Sequence, residues 1–225
     1  MSVYSSFPRI PHLEGSAFDV DDVVLDAESS KRWLQREVRA FEKLDGINVT
    51  FQCVGRGHVR FAVKDEWQGA LGGRLERAIE IWMLQHKERL QAALKGGAHL
   101  YGEWLWHKIS VGYRQLPAPL LGIAFRDERG RLLPFDLATE RICAAGVVPT
   151  RPLYAGVVRT RQKLKRLAKT TAFGAEQTEG LILEAADTPY ISEEDGWAKW
   201  VRSDYQHPRR ETLTGEKSVL EWASR

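Results

Sequence analysis

No stretch of this chain approaches the roughly 20 consecutive apolar residues that a membrane-spanning helix needs, so no membrane segment is expected. The opening residues, Met1 to Leu13, carry neither a basic n-region nor an apolar h-region, and no signal peptide is expected. Cysteine is scarce: Cys53 and Cys143 are the only two, too few for a disulfide framework. Together these absences point to a cytoplasmic protein. Zinc-ligand spacing is missing as well, since none of His12, His58, His86, His99, His107 and His207 pairs with cysteine at such a spacing. The glycine-rich Val54-Gly55-Arg56-Gly57 follows a strand-like run without opening a helix, so a dinucleotide-binding or P-loop reading fails. No serine sits in a nucleophile-elbow context.

What is present is the material of a soluble globular chain. Of 225 residues, 43% are hydrophobic and 28% charged, and eight tryptophans supply a large aromatic payload for a core or a stacking surface. A net charge of +3 permits a polyanionic partner without demanding one, because clustering matters more than totals. One cluster exists: Arg159, Arg161, Lys163, Lys165, Arg166 and Lys169. It reads either as a solvated helix face or as a phosphate-contacting surface.

Periodicity divides the chain into interspersed strands and helices. The first 30 residues, rich in Pro, Gly, Ser and acidic groups, read as loop or extended chain. Trp33 to Phe41 is ambiguous between a short helix and an incoming strand. Ile47, Val49, Phe51 and Cys53 alternate with polar residues and predict a half-buried strand, with a hairpin partner at Val59 to Val63. Arg74 to Leu94 predicts one long helix with Leu75, Ala78, Ile79, Trp82, His86, Leu90 and Leu94 on its apolar face, stopped by Gly96-Gly97. On that face His86 is expected to be a packed core residue. Leu100 to Trp106, Leu120 to Phe125, Gly180 to Glu184 and Lys199 to Arg202 read as strands. Thr139 to Ala145 and Thr160 to Lys169 read as helices, and a closing helix is expected from Glu216. The sum is one α+β domain over residues 1–225.

Chemistry concentrates at Glu42-Lys43-Leu44-Asp45-Gly46-Ile47-Asn48. Asp-Gly is a strong turn dipeptide, so the bland reading is a hairpin turn. A Lys-x-Asp/Glu-Gly match should arise by chance in about one chain in ten of this length. Yet a lysine so placed is suited to attack phosphorus, provided its amine, with a pKa of about 10.4 in water, is deprotonated by burial or nearby cations. Such attack also needs metal and basic side chains to neutralise developing charge. The chain supplies carboxylates and cations in order: Glu103 in Tyr101-Gly102-Glu103-Trp104, Glu179 in Glu179-Gly180-Leu181-Ile182, and Lys199 and Arg202 in Lys199-Trp200-Val201-Arg202.

These four fragments resemble nucleotidyl motifs I, III, IV and V of the covalent nucleotidyltransferases, the polynucleotide ligases and mRNA capping enzymes. Within that superfamily the chain is most similar to the RNA ligase branch. Glu42 beside the lysine, Asn48 five residues after it, and the opening Phe7-Pro8-Arg9-Ile10-Pro11-His12-Leu13 carry that likeness, which spans Phe7 to Tyr205. The resemblance implies an α+β nucleotidyltransferase fold, the ATP-grasp-like adenylation domain of ligases, with mainly antiparallel sheets and flanking helices. It also implies an ATP-dependent RNA ligase that uses Mg2+ or Mn2+ and joins 5′-phosphate and 3′-OH ends through a lysyl-AMP intermediate.

By that resemblance Lys43 is the adenylylated nucleophile, Glu42 helps select adenine, and Asp45 supports the ribose or lysine side of the pocket. Asn48 matches a position tied to sealing. Arg56 or Arg60 contacts the nucleotide or the 3′ end, Glu103 touches the ribose, and Glu179 binds metal directly or through water. Lys199 contacts the α-phosphate and lowers the pKa of Lys43 by its charge. Where many relatives stack an aromatic residue on adenine, this chain offers Ile123 or Phe125. Where motif V often carries a second lysine, it has Val201, with Arg202 as a substitute that would point to the opposite strand face. After motif V too few residues remain for the OB-fold or helical domain that ligases commonly append. An accessory protein, a minimal surface or the 159–169 basic run would then hold RNA. Two other readings are a catalytically reduced nucleotide- or nucleic-acid-binding module and a ligase acting on DNA nicks.

Overall fold

The computed structural model describes residues 5–63, 66–69, 73–175 and 177–205. The closing helix expected from Glu216 lies outside them. In chain order the elements are Ala27–Gln35 (α1), Glu37–Lys43 (β1), Ile47–Val54 (β2), His58–Val63 (β3), Glu66–Trp67 (β4), Gly73–Gln85 (α2), Lys87–Ala93 (α3) and His99–Trp104 (β5). Leu120–Arg126 (β6), Phe135–Ala144 (α4), Val148–Pro149 (β7), Tyr154–Val157 (β8), Arg161–Leu167 (α5), Gly180–Ala185 (β9) and Trp197–Val201 (β10) follow. The strands form two sheets, β10-β9-β1-β8 and β4-β3-β2-β5-β6-β7, antiparallel except for the β6–β7 pair. The chain is therefore α+β with mainly antiparallel sheets. Each sheet organises one of two compact units, which take their described residues from 5–7, 47–104 and 120–149 in one case and from 8–46, 105–119 and 150–205 in the other.

In the four-stranded unit the alternation of side chains along β1 decides what is buried. Val38 and Ala40 point the same way as their register partners Ala185 and Leu183, and Ala198 and Trp200 of β10 continue that face. Against it pack Trp33 and Leu34 of α1, Leu164 of α5 and Ala168 just beyond it, closing a continuous apolar core. The stretch that read as ambiguous between helix and strand contains both. Asp26 starts α1 by accepting from the Ser29 N–H at 2.6 Å, and Arg36 turns the chain into β1.

The six-stranded unit buries the odd face of β2. Phe51 sits 6.2 Å from Phe61 across the hairpin and 5.5 Å from Trp82 of α2, ring centroid to ring centroid. The expected single helix over 74–94 is two, and the break has a local cause. His86 Nδ1 lies 2.8 Å from the Trp82 carbonyl, the acceptor that its own backbone N–H would take in an uninterrupted helix. That N–H goes instead to the Met83 carbonyl, and the His86 ring stacks on Trp82 at 4.2 Å. His86 is accordingly half-buried at a kink rather than a packed core residue. Gly96 and Gly97, both at positive φ, end the helical segment as expected.

The Asp-Gly sequence does not make a hairpin. β1 pairs with β8 and β9, whereas β2 pairs with β3 and β5 in the other sheet. Leu44-Asp45-Gly46 is thus the crossover from one sheet to the other.

Candidate active site

The site in the four-stranded unit is built on the face of β1 opposite the core. Arg39, Phe41 and Lys43 share it with Glu184, Ile182 and Gly180 of β9 and with Trp197, Lys199 and Val201 of β10. Lys43 Nζ lies 2.5 Å from Glu179 Oε1, and that carboxylate is 4% exposed. Gly180, the register partner of both Lys43 and Val201, is compelled by packing. A Cβ there would stand 2.1 Å from the Trp200 carbonyl oxygen, a backbone atom. The Glu-Gly pair is thus one device, the glycine letting β10 approach and the glutamate meeting the lysine.

Glu42, the residue before Lys43, points the other way. Its buried carboxylate accepts from the Ala172 N–H at 2.6 Å and from Thr171 Oγ1 at 3.0 Å. Burial raises its pKa, and those hydrogen bonds oppose the rise. Asp45 is also spoken for: Oδ2 accepts from the backbone N–H groups of Ser110 and Val111 and from the Ser110 hydroxyl at 2.6–2.7 Å. Its own N–H donates to Tyr113 Oη at 2.7 Å. Asp45 therefore fastens the 105–119 segment to the end of β1. Tyr205 Oη, 2.7 Å from Ser110 Oγ, completes this cluster, its pKa raised by burial and by the nearby Glu179 and Asp45 carboxylates.

Lys199 is held by the opening segment. Pro11 to Ala17 runs along β10, with Lys199 N–H donating to the Pro11 carbonyl and the Leu13 N–H to the Lys199 carbonyl, both at 2.8 Å. Asp22 Oδ1 takes the Lys199 ammonium at 3.0 Å. Arg202 follows β10 and is engaged locally, with Nε on Asp204 at 3.0 Å. Thr171, Ser110, Asp22 and Ser16 were not legible from sequence, because loop residues that meet a strand from far along the chain leave no periodicity.

The other predicted residues belong to the six-stranded unit. Asn48 and Glu103 are register partners and share a sheet face, and Arg60, opposite Gln52, lies further along the same face. The Arg60 guanidinium sits over the Trp67 ring at 4.8 Å. Arg56 falls in the short 3-10 turn Gly55–Gly57, and its side chain lies outside what the structure describes. Of the two residues offered to adenine, Phe125 is fully buried beneath Arg141, whereas Ile123, at the irregularity between the β5 and β6 registers, keeps partial exposure.

Two buried histidines tie the fold to pH. Burial and Lys199 lower the pKa of His12 to about 4, and burial and Arg126 lower that of His99 to about 4. The unfolded chain protonates both at about 6.5. Between those values the unfolded state binds more protons, so stability falls as pH drops. The melting temperature is expected to decline steadily from pH 7 to pH 4.5, and His99→Phe to flatten part of that slope. A flat wild-type profile would contradict the buried neutral rings.

Among the described residues no group of three or more His, Cys, Asp or Glu side chains forms a ready-made metal cage. None of their helices is long and apolar enough to cross a membrane.

A lysine paired to a buried carboxylate thus sits on a mainly antiparallel α+β scaffold. The RNA ligase family model matches residues 36–201, and the chain belongs to the RNA ligase family of the covalent nucleotidyltransferase superfamily. No curated protein matches it significantly. Among solved structures it is similar to an archaeal ATP-dependent RNA ligase, with 13% identity, a TM-score of 0.52, and coverage of 87% of this chain and 48% of that one. It is similar too to the Naegleria gruberi RNA ligase, as a lysine-to-alanine mutant with ATP and Mn, with 14% identity and a TM-score of 0.58 over 88% of this chain and 61% of that one. The same enzyme with PPi gives 14% identity and a TM-score of 0.55. The chain thus spans from about half to three-fifths of the length of these ligases, and the likeness is one of fold.

Proposed function

We propose that this chain is an ATP-dependent RNA ligase that works through a covalent adduct on Lys43. The observation that carries the reading is Lys43 paired with the buried Glu179 on the sheet face that also bears Lys199. The amine attacks the α-phosphorus of ATP, forming a nitrogen–phosphorus bond as pyrophosphate leaves. AMP then passes to an RNA 5′-phosphate, and a 3′-hydroxyl displaces it to form the phosphodiester. The amine must lose a proton to attack, and Glu179 Oε1, 2.5 Å away, is within reach to take it.

Glu179 also fits a hard divalent cation, because it is a buried carboxylate oxygen donor whose counter-charge is an ammonium that an ion could replace. Bound magnesium or manganese would supply charge neutralisation at the reacting phosphate. Magnesium sites of this kind take one or two carboxylates plus substrate phosphates, consistent with the absence of a multi-carboxylate cage among the described residues. Lys199 contacts the α-phosphate. Glu42 selects adenine from its anchorage on Thr171 and Ala172, and Asp45 secures the lysine side of the pocket through Ser110. Asn48, Arg60, Glu103 and Ile123 serve nucleotide and RNA ends, and the exposed Arg159, Arg161, Lys165, Arg166 and Lys169 offer phosphodiester contacts. We place all of this in a single adenylyltransferase domain, with an accessory protein or domain as a further partner for RNA.

The test is sealing of matched nicked duplexes carrying an RNA or a DNA 3′-hydroxyl strand, with ATP or GTP and magnesium or manganese. Sealing of the RNA nick with ATP is expected to exceed the other combinations. Preference for the DNA nick would transfer the activity to DNA repair, and binding without sealing of any nick would support a reduced binding module.

A further inference from the structure

Lysine is a strongly hydrated point charge on a flexible four-carbon stem, so a lysine that must meet one phosphate needs something to aim it. Lys199 has such a device, and its parts come from the opening segment rather than from the sheet. Asp22 Oδ1 lies 3.0 Å from Lys199 Nζ, and Asp22 Oδ2 lies 3.0 Å from His12 Nε2. Asp22 Oδ2 also accepts from the Asp19 N–H at 3.0 Å, which fixes the carboxylate from behind. His12 is 1% exposed, and its Nδ1 lies 2.7 Å from Ser16 Oγ. Ser16 Oγ in turn accepts from the Val201 N–H of β10 at 2.8 Å, returning the chain of contacts to the strand that bears Lys199.

Ser16 Oγ also lies 3.0 Å from the Ala17 carbonyl, and of the two placements of its single proton the one toward His12 Nδ1 sets an N–H of the ring toward Asp22. Val201 donates to Ser16 Oγ, the Ser16 hydroxyl donates to His12 Nδ1, and His12 Nε2–H faces Asp22. This is the neutral ring tautomer, the form expected where burial and the charges of Lys199 and Lys43 oppose protonation. Against its burial, the Asp19 N–H and Lys199 hold Asp22 ionised, its pKa down to about 2. A neutral imidazole orienting a fixed carboxylate, and the carboxylate orienting a cation, leaves Lys199 a defined position with part of its charge balanced.

We propose that Asp22, oriented by His12 and Ser16, is a positioning residue that aims Lys199 at the α-phosphate during adenylylation. The catalytic half of this inference rests on the ligase reading above, whereas the positional half stands on the contacts alone. Freed of Asp22, the ammonium keeps its charge but samples many rotamers. The effect then falls on the rate of the chemical step rather than on nucleotide binding.

Two measurements on the full chain separate the halves. The first is acylation of lysines by a water-soluble amine-reactive ester, read peptide by peptide by mass spectrometry. Asp22→Asn is expected to raise labelling of Lys199 several-fold while Lys163 and Lys165 stay as they were, and Asp22→Glu to reverse most of that rise. Unchanged Lys199 labelling overturns the proposal. The second is single-turnover adenylylation over a range of ATP concentrations. Asp22→Asn is expected to lower the limiting rate about 10-fold with little change in the half-saturating ATP concentration, and to add nothing in a Lys199→Ala background. An equal loss in both backgrounds would make Asp22 a fold residue and overturn its aiming role. A wild-type chain that forms no adduct, yet shows the labelling change, would sink the ligase reading and leave the held lysine standing. Should Asp22→Asn fail to fold, Ser16→Ala carries the labelling test, with the same direction and a smaller rise.

Discussion

Lys43→Ala is expected to abolish ligation from ATP, by at least about 1,000-fold, while leaving the fold intact. The side chain is at the end of β1 with 23% of its surface exposed, outside the apolar core formed by Val38, Ala40, Leu181 and Leu183, so its removal leaves no cavity there. What is lost is the protein atom proposed to bond to phosphorus. The final step, in which a 3′-hydroxyl displaces AMP from an adenylylated RNA 5′ end, forms no bond to lysine. Lys43→Ala supplied with pre-adenylylated RNA is therefore expected to seal it, while Glu103→Ala and Lys199→Ala are expected to slow that step too. Loss of both activities in Lys43→Ala, with an unchanged melting temperature, would mean that Lys43 contributes charge or contact beyond its role as nucleophile.

Gly180→Ala is expected to be as damaging through the backbone as Lys43→Ala is through chemistry. A methyl group at residue 180 meets the Trp200 carbonyl at 2.1 Å and the Val201 Cα at 2.9 Å, both main-chain atoms that no rotamer change can move. Relief requires β9 and β10 to separate. That would break the register Val201↔Gly180 and shift Glu179 and Lys199 together. The expected cost is about 3 kcal/mol or more of stability, with adenylylation below detection even in the fraction that stays folded. Denaturant unfolding and adduct formation measured on the same preparation check both. A Gly180→Ala protein with wild-type stability would contradict the packing of these strands.

Much of this architecture was written in local periodicity. The alternation at Ile47 to Cys53, the apolar runs at Leu120 to Phe125 and Gly180 to Glu184, and the basic helix capped by Thr160 all appear where the sequence put them. Short edge strands such as Val148–Pro149 and Tyr154–Val157 were not legible, because two to four residues carry too little alternation to stand out. The start of α1 was hidden by its composition: Asp26 and Ser29 look like loop residues until one is seen capping the other. The kink at His86 depends on a side chain competing for a backbone carbonyl, a choice that helical periodicity does not encode.

The site divides along the same line. The fragments bearing Lys43, Glu179 and Lys199 stood out because strand sequence carries or adjoins them, and the register of β1, β9 and β10 puts these separated fragments on neighbouring strands. Their supports could not be named. Thr171 reaches Glu42 across 129 positions and Asp22 reaches Lys199 across 177, and loops at such separations are specified only by the finished fold. His12 was visible only as part of a family-like opening, and its ties to Ser16 and Asp22 give that opening a physical purpose.

The central claim is that Lys43 carries AMP. Purified chain incubated with α-labelled ATP and magnesium or manganese, then denatured, digested and mapped by mass spectrometry, tests it most directly. The expected result is a labelled protein band that withstands denaturation, a single modified peptide with the AMP mass on Lys43, and no label in Lys43→Ala. Label on another lysine, or a wild-type chain that begins unmodified and takes up no label with either metal, would contradict it.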